Sequence, residues 1–196
     1  MKHMPLSHRR INDGLTVVVI AFGLYLIVAP FWPRIQWWIH PPTPIAVQKT
    51  AVKTDGKLVE ATIPDENLLI IPRLGMREEM HDGSSIAELR KGAWLLPRTS
   101  TPDKESNTVI VGHRFTYAGP AVFYFLDKVQ IGDPIVIDWQ KSEYTYEVSS
   151  IREVPATETS VEAPTTDAQL TLYTCTPLWT ASHRLVIVAP LKGVRL

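Results

Sequence analysis

The sequence predicts a mainly β domain, folded as a closed or nearly closed barrel with a few short helices and carried behind one membrane-spanning helix. Six short runs rich in β-branched and aromatic residues fall within the last roughly 130 residues. No regular alternation of strand with helix separates them, which argues against a doubly wound sheet. An uncharged apolar run stands apart from all six, near the amino end.

That apolar run comes first. MKHMPLSHRR carries Lys2, Arg9 and Arg10, and residues 14–32, GLTVVVIAFGLYLIVAPFW, then hold no charge over 19 positions, about the length that crosses a bilayer core as a helix. The basic flank orients the amino end toward the cytoplasm, and Trp32, Trp37 and Trp38 fall where indole rings favour the membrane interface. A core helix is seldom apolar all round behind a basic flank. A cleaved signal peptide has a shorter apolar run and a small-x-small site, which LIVAPFWP lacks. The run is therefore read as an uncleaved signal anchor, with residues 1–13 cytoplasmic and the remainder outside.

Residues 33–63 read as an extracytoplasmic stalk. HPPTP crowds three prolines into five positions, which fixes φ and biases neighbouring residues toward extended backbone. The domain proper then covers residues 64–196. Its predicted strands are residues 67–72 (NLLIIP), 107–113 (NTVIVGH), 134–139 (PIVIDW), the run EYTYEVSS from Glu143, 169–175 (QLTLYTC) and 184–190 (RLVIVAP). In EYTYEVSS the residues Tyr144, Tyr146 and Val148 alternate with Thr145, Glu147 and Ser149, so one face is wet. Two short helices are expected. One covers residues 86–91, with Ser85 and Glu88 spaced as a capping box and Gly92 as the stop; the other covers 121–129 and ends at the Gly132-Asp133-Pro134 turn.

Composition removes several classes of function. Twenty basic and twenty acidic residues cancel, so no basic surface for nucleic acid is expected. One cysteine and scattered histidines give no ligand set at zinc spacing, and no calcium loop, phosphate loop or dinucleotide fingerprint occurs. No metal or cofactor is expected.

Cys175 is the only cysteine in the chain, which excludes an internal disulfide. A buried inert thiol is the plain reading. Against it, Cys175 closes a β run just before Thr176-Pro177, and a strand end can present a side chain to a groove. A nucleophilic thiol needs a base or cation beside it. Of six histidines, His3 and His8 precede the anchor, His40 lies in the stalk and His81 in the HDGSS turn. His183 belongs to the loop WTASH, where solvent exposure is the simpler account. His113 ends TVIVG, with Gly112 before it permitting close backbone approach. Acyl transfer also needs donors or positive charge at the developing oxyanion. Arg184 begins RLVIVAP, and the intervening TPLWTASH suits a connection between adjacent antiparallel strands, which would bring thiol and guanidinium to one rim.

TLYTC with Arg184 downstream, and VGHR followed by FYFLDKVQIGDPIVI, resemble the sortases, membrane-anchored cysteine transpeptidases of mainly Gram-positive bacteria. The resemblance covers roughly residues 67–190. It implies an eight-stranded β-barrel, Cys175 as nucleophile, His113 as acid/base partner and Arg184 as the cation on the oxyanion side. It also implies Thr174 as a contributor to the substrate groove. RFTYAGPAVF resembles the tyrosine-bearing stretch of the class E enzymes, which makes Tyr117 a substrate-binding candidate. Three differences from class E are visible: Ala118-Gly119 stands for the usual Gly-Ala, extra residues precede the phenylalanine, and Thr176 stands where those enzymes usually carry His. Pilin-polymerising members fit less well, since no Asp-Pro-Trp lid precedes the domain.

The chemistry that the resemblance implies is cleavage of a Leu-Pro/Ala-x-Thr-Gly sorting signal between Thr and Gly, through a thioacyl enzyme resolved by a cell-wall amine. The implied partners are surface-protein signal peptides, a cell-wall precursor amine and the lipid bilayer. A Cys hydrolase without transfer and a non-catalytic binding module on the same barrel are the alternatives. An L,D-transpeptidase would place His and Cys in one short motif, and a papain-like enzyme would place Cys before His; neither pattern occurs.

Overall fold

The computed structural model describes residues 8–45, 52–54, 57–59, 63 and 65–196. They divide into two compact units, with the boundary between Pro41 and Pro42. In the first, α1 (His8–Val28) leads through a 3-10 turn (Ala29–Phe31) into α2 (Trp32–Ile39). The turn coincides with Pro30, which lacks the N–H that the α-helical ladder needs. Arg10–Ile39 is long and apolar enough to cross a membrane, and none of its apolar window is buried within the protein. Helix therefore continues to Ile39, beyond the predicted span and through residues assigned from sequence to the stalk.

In the second unit β1 (Val52–Thr54) and β2 (Lys57–Val59) form an antiparallel pair. There follow β3 (Leu68–Ile71), β4 (Met76–His81), β5 (Ala93–Leu95), β6 (Asn107–Val111), β7 (Phe115–Thr116), β8 (Gly119–Pro120), β9 (Pro134–Trp139), β10 (Ser142–Glu147), β11 (Ser150–Pro155), β12 (Gln169–Thr176) and β13 (His183–Arg195). The main sheet runs β10-β9-β3-β4-β5-β6-β12-β13, and β13 pairs back onto β10. Among the described residues, eight strands thus close into a barrel, as expected.

Closure depends on the length of β13. Its first part pairs with β12 on one side and β11 on the other, and its last residues pair with β10 from Tyr146↔Leu191 to Glu143↔Arg195. A register shift at Thr145/Tyr146 lets the strand bend around the barrel. An ion pair between Arg195 Nη2 and Glu143 Oε2 at 2.9 Å fastens the seam.

The barrel is filled by Leu69, Ile71, Ile110, Ile135, Ile137, Tyr146, Leu170, Leu172 and Ile187, all fully buried. β3 is buried on both faces. Its other face, Leu68 and Ile70 with Val136, is covered by Ile45, whose N–H donates to Pro72 O at 3.1 Å. The chain is therefore already folded onto the barrel at Ile45, within the segment read as stalk. Residues 46–51, 55–56 and 60–62 of that stalk are outside the described residues.

Seven strands were not foreseen by residue pattern: β1 and β2, which fall in the segment read as stalk, and β4, β5, β7, β8 and β11. MREEMH and SIREVP carry charges on the exposed face, which dilutes the apolar signal, while β5, β7 and β8 are too short to show a period. The two expected helices are shorter and tighter than predicted. Residues 86–90 form a 3-10 helix, with Ser85 Oγ accepting from Ala87 N at 3.2 Å; Glu88 pairs instead with Lys91 at 2.7 Å. A five-residue segment offers too few bonds to repay α-helix nucleation. Residues 121–129 form turns and a 3-10 helix over Leu126–Lys128, because Phe123 N is taken by His113 O at 3.0 Å and the segment is tied to a strand end.

The predicted Gly132-Asp133-Pro134 turn is present. Gly132 adopts φ +87°, a region that favours glycine. Asp133 accepts from Gln130 N at 2.7 Å and holds the Arg73 guanidinium through both oxygens, so the start of β9 is pinned to the turn after β3.

Candidate active site

Strand pairing brings Cys175 and Arg184 together and leads β6 to the same rim just before His113. β6 and β12 are parallel, with Asn107↔Gln169 through Val111↔Tyr173 in register. Carried past the end of β6, the same offset sets Gly112 beside Thr174 and His113 beside Cys175. Gly112 N donates to Tyr173 O at 3.3 Å and Thr174 Oγ1 donates to Gly112 O at 2.7 Å, which maintains the alignment. On the other side of β12, Cys175 lies directly opposite Arg184 of the antiparallel β13. Directly paired residues project to one face, and strands lie about 4.8 Å apart. Cys175 and Arg184 therefore share one face at one rim, His113 follows the end of β6 at the same rim on the other side of β12, and all three are half-buried.

The pairing also separates the two imidazoles nearest the thiol in the fold or the sequence. His183 is opposite Thr176, so it stands on the face away from Cys175, exposed, with Nδ1 at 2.9 Å from Ser182 Oγ. His81 ends β4, half-buried, and not in a turn as expected from sequence.

Gly112 matters because of close approach. A Cβ there would lie 2.5 Å from Phe123 Cδ2 and 2.6 Å from Val122 Cγ1. The segment after His113 thus folds back over its own strand end, and Phe123 is fully buried.

Tyr173 shares the face of Cys175, and its hydroxyl donates to Glu162 Oε1 at 2.7 Å. Burial, then the bond and charge of Glu162, raise the phenol above its ordinary value, so it stays neutral. Glu162 belongs to a 3-10 turn (Ser160–Glu162) that Asn107 clamps to the barrel, its Nδ2 donating to Val161 O and Ala163 O at 3.0 Å each. Arg184 Nη1 donates to Ala181 O and His183 O, both at 3.0 Å, tying the charged head to the β12–β13 connection.

Thr174 is buried, with its hydroxyl committed to Gly112 O, so it stands behind the rim. Tyr117 is fully exposed between β7 and β8. Nearby, Phe115 of β7 packs on Trp179 of the β12–β13 connection at 5.5 Å and on Tyr124 at 6.1 Å. A cavity of about 460 Å³ opens on the β4–β5 side of His113, lined also by Glu78, Arg90, Lys91 and Val122. Among the described residues no group of three His, Cys, Asp or Glu side chains could hold a metal ion.

A thiol flanked by an imidazole and a guanidinium can act as a nucleophile with an acid/base on one side and a cation for a developing oxyanion on the other. Sequence reading assigned no role to Glu162, Trp179 or Tyr173, the first two bearing on this rim from other elements and the third from β12 itself; for Trp179 an exposed aromatic in the loop after Cys175 was the available signal.

The family model described as "Sortase domain" matches residues 69–192. Sortase SrtE1 of Streptomyces coelicolor is 33% identical over 100 residues, which cover 46% of this chain and 28% of that protein, so the chain spans little more than a quarter of that relative's length. The crystal structure of sortase E1 from the same organism, with a tripeptide in its active site, matches at 28% identity and TM-score 0.58, over 67% of this chain and 90% of that one. A lid mutant of Corynebacterium diphtheriae sortase A matches at 31% identity and TM-score 0.60, over 66% and 71%. A family match that spans nearly the whole barrel leaves one assignment: the chain belongs to the sortase family, whose members are generally cysteine transpeptidases.

Proposed function

We propose that this protein is a membrane-anchored transpeptidase that cleaves a Leu-Pro/Ala-x-Thr-Gly-type sorting signal between Thr and Gly and joins the carboxyl product to a cell-wall amine. The observation that supports the reading is the strand register, which pairs Cys175 with Arg184 on one side and, on the other, aligns β6 with β12 up to two residues before His113. The Cys175 thiolate attacks the Thr-Gly carbonyl, Arg184 faces the developing oxyanion, and protonated His113 gives a proton to the departing glycine amine. A thioacyl enzyme remains. An amine then attacks it, neutral His113 accepts the amine proton, and Cys175 leaves as the thiolate, which restores the starting pair. For Arg184 to serve, its charged head must turn from the Ala181 and His183 carbonyls toward the bound peptide.

Tyr117 and Trp179 are exposed aromatics able to take an apolar signal residue; Thr174 acts through Gly112, which fixes the backbone next to His113. Residues 14–32 serve as the signal anchor, with residues 1–13 cytoplasmic, and residues 33–63 as the stalk before the catalytic domain. The basic flank supports this orientation. An anchored enzyme also gains proximity to membrane-tethered substrates.

The test is a fluorescence-quenched peptide carrying either signal, incubated with and without triglycine, and mass spectrometry of Cys175. A thioacyl adduct ending at Thr and a triglycine-linked product are expected. Release without transfer identifies a hydrolase, and no Cys175-dependent turnover identifies a binding module; either overturns the proposal.

A further inference from the structure

Behind the rim, on the opposite face of the same strand ends, lies an ionic cluster that the proposed chemistry does not use. Arg114, next to His113, is only 6% exposed. Its Nη1 donates to Thr176 Oγ1 at 3.0 Å, and its Nη2 meets Asp127 Oδ2 at 3.1 Å. Thr176, next to Cys175, is 3% exposed and donates in turn to Glu153 Oε1 at 3.2 Å. The chain of contacts joins the 3-10 helix Leu126–Lys128, the end of β6, the end of β12 and β11.

Burying a guanidinium is costly, and a site that needed only packing would be served by an apolar side chain. This arrangement supplies a fixed separation where the backbone supplies little. The β6–β12 ladder ends at Val111↔Tyr173, and beyond it the ties are Gly112 N to Tyr173 O at a long 3.3 Å and the Thr174 hydroxyl to Gly112 O at 2.7 Å. His113 and Cys175 lie past that point. The next cross-strand tie is Arg114 to Thr176.

We propose that Arg114 is a positioning residue: bonded to Thr176 and Asp127, it sets the separation of the two strand ends and so holds the His113 imidazole beside the Cys175 thiol. The proposal rests on the reading that these two groups act as a pair.

The test uses the full chain in detergent micelles, with Arg114→Met, Thr176→Val, Thr176→Ser and His113→Ala. Two quantities are measured: the pH profile of Cys175 alkylation by iodoacetamide, and kcat and KM for the quenched peptide. Arg114→Met and Thr176→Val are expected to move the alkylation profile toward that of His113→Ala and to lower kcat about 10- to 100-fold, with KM changed less than about threefold. Thr176→Ser, which keeps the hydroxyl, restores both. If Arg114→Met does not fold, Thr176→Val carries the test. Variant profiles that superimpose on the parent's, or a Thr176→Ser as impaired as Thr176→Val, overturn the role of Arg114 while leaving the pair intact. If His113→Ala itself leaves the profile unchanged, the pairing fails first and the role of Arg114 with it.

Discussion

Gly112→Ala tests the close packing on which the position of His113 depends. The new methyl would sit 2.5 Å from Phe123 Cδ2, 2.8 Å from Phe123 Cε2 and 2.6 Å from Val122 Cγ1. Carbon contacts settle near 3.5–4.0 Å, so the segment over the strand end must retreat by about 1 Å. Phe123 is fully buried, so it cannot simply swing into solvent. Overpacking of this kind costs about 1–3 kcal/mol. For a domain of this size each kcal/mol lowers Tm by about 2–4 °C, which gives a fall of about 2–12 °C. Because Phe123 N bonds His113 O and Thr174 Oγ1 bonds Gly112 O, the same shift displaces the imidazole, and turnover should drop about 10- to 100-fold. Thermal melting and quenched-peptide cleavage measure the two effects. A Tm within about 1 °C of the parent, together with unchanged turnover, would refute the reasoning.

Four further outcomes follow from the structure. Arg184→Ala should lower turnover by about two to three orders of magnitude, as when one oxyanion donor is removed, while Cys175 still reacts with iodoacetamide. His113→Ala should be far more damaging than His183→Ala in the same peptide assay, because strand alternation turns His183 away from the thiol; equal losses would show that the wrong imidazole has been chosen. Asn107→Ala removes both bonds to the Ser160–Glu162 turn and strands the buried Thr171 hydroxyl, which donates to Asn107 Oδ1 at 2.7 Å; a loss of about 2–3 kcal/mol in denaturant titration is expected. Asp138 is buried with Oδ1 unpartnered, and burial, then the negative charge of Glu143, raise its pKa despite Arg77 and Arg195. Its folded pKa exceeds the unfolded value, so it lowers stability as pH rises through that window and stays destabilising above it. Asp138→Asn should therefore raise Tm at pH 7 with the gain vanishing in acid, and a variant that melts lower at neutral pH would contradict this.

By itself the sequence determined the things that composition and local pattern control. An uncharged run of bilayer length is legible because water rejects it wherever it lies. The strands through residues 134–139 and 169–176 are legible because β-branched and aromatic residues crowd there. The candidate residues His113, Cys175 and Arg184 could be named one at a time from their strand ends and from the resemblance. Tertiary structure alone decided which of them meet. His113 and Cys175 are distant in the chain, and the strands that lead to them reach one rim because β6 and β12 run parallel in one register; a shift of a single residue would turn the thiol to the other face. Pairing also fixed which imidazole stands on the side of the sulfur, placed Glu162 on Tyr173, and buried Arg114 against Thr176 and Asp127. Those contacts join segments distant in the chain, and no local propensity encodes them, since each depends on how the barrel closes.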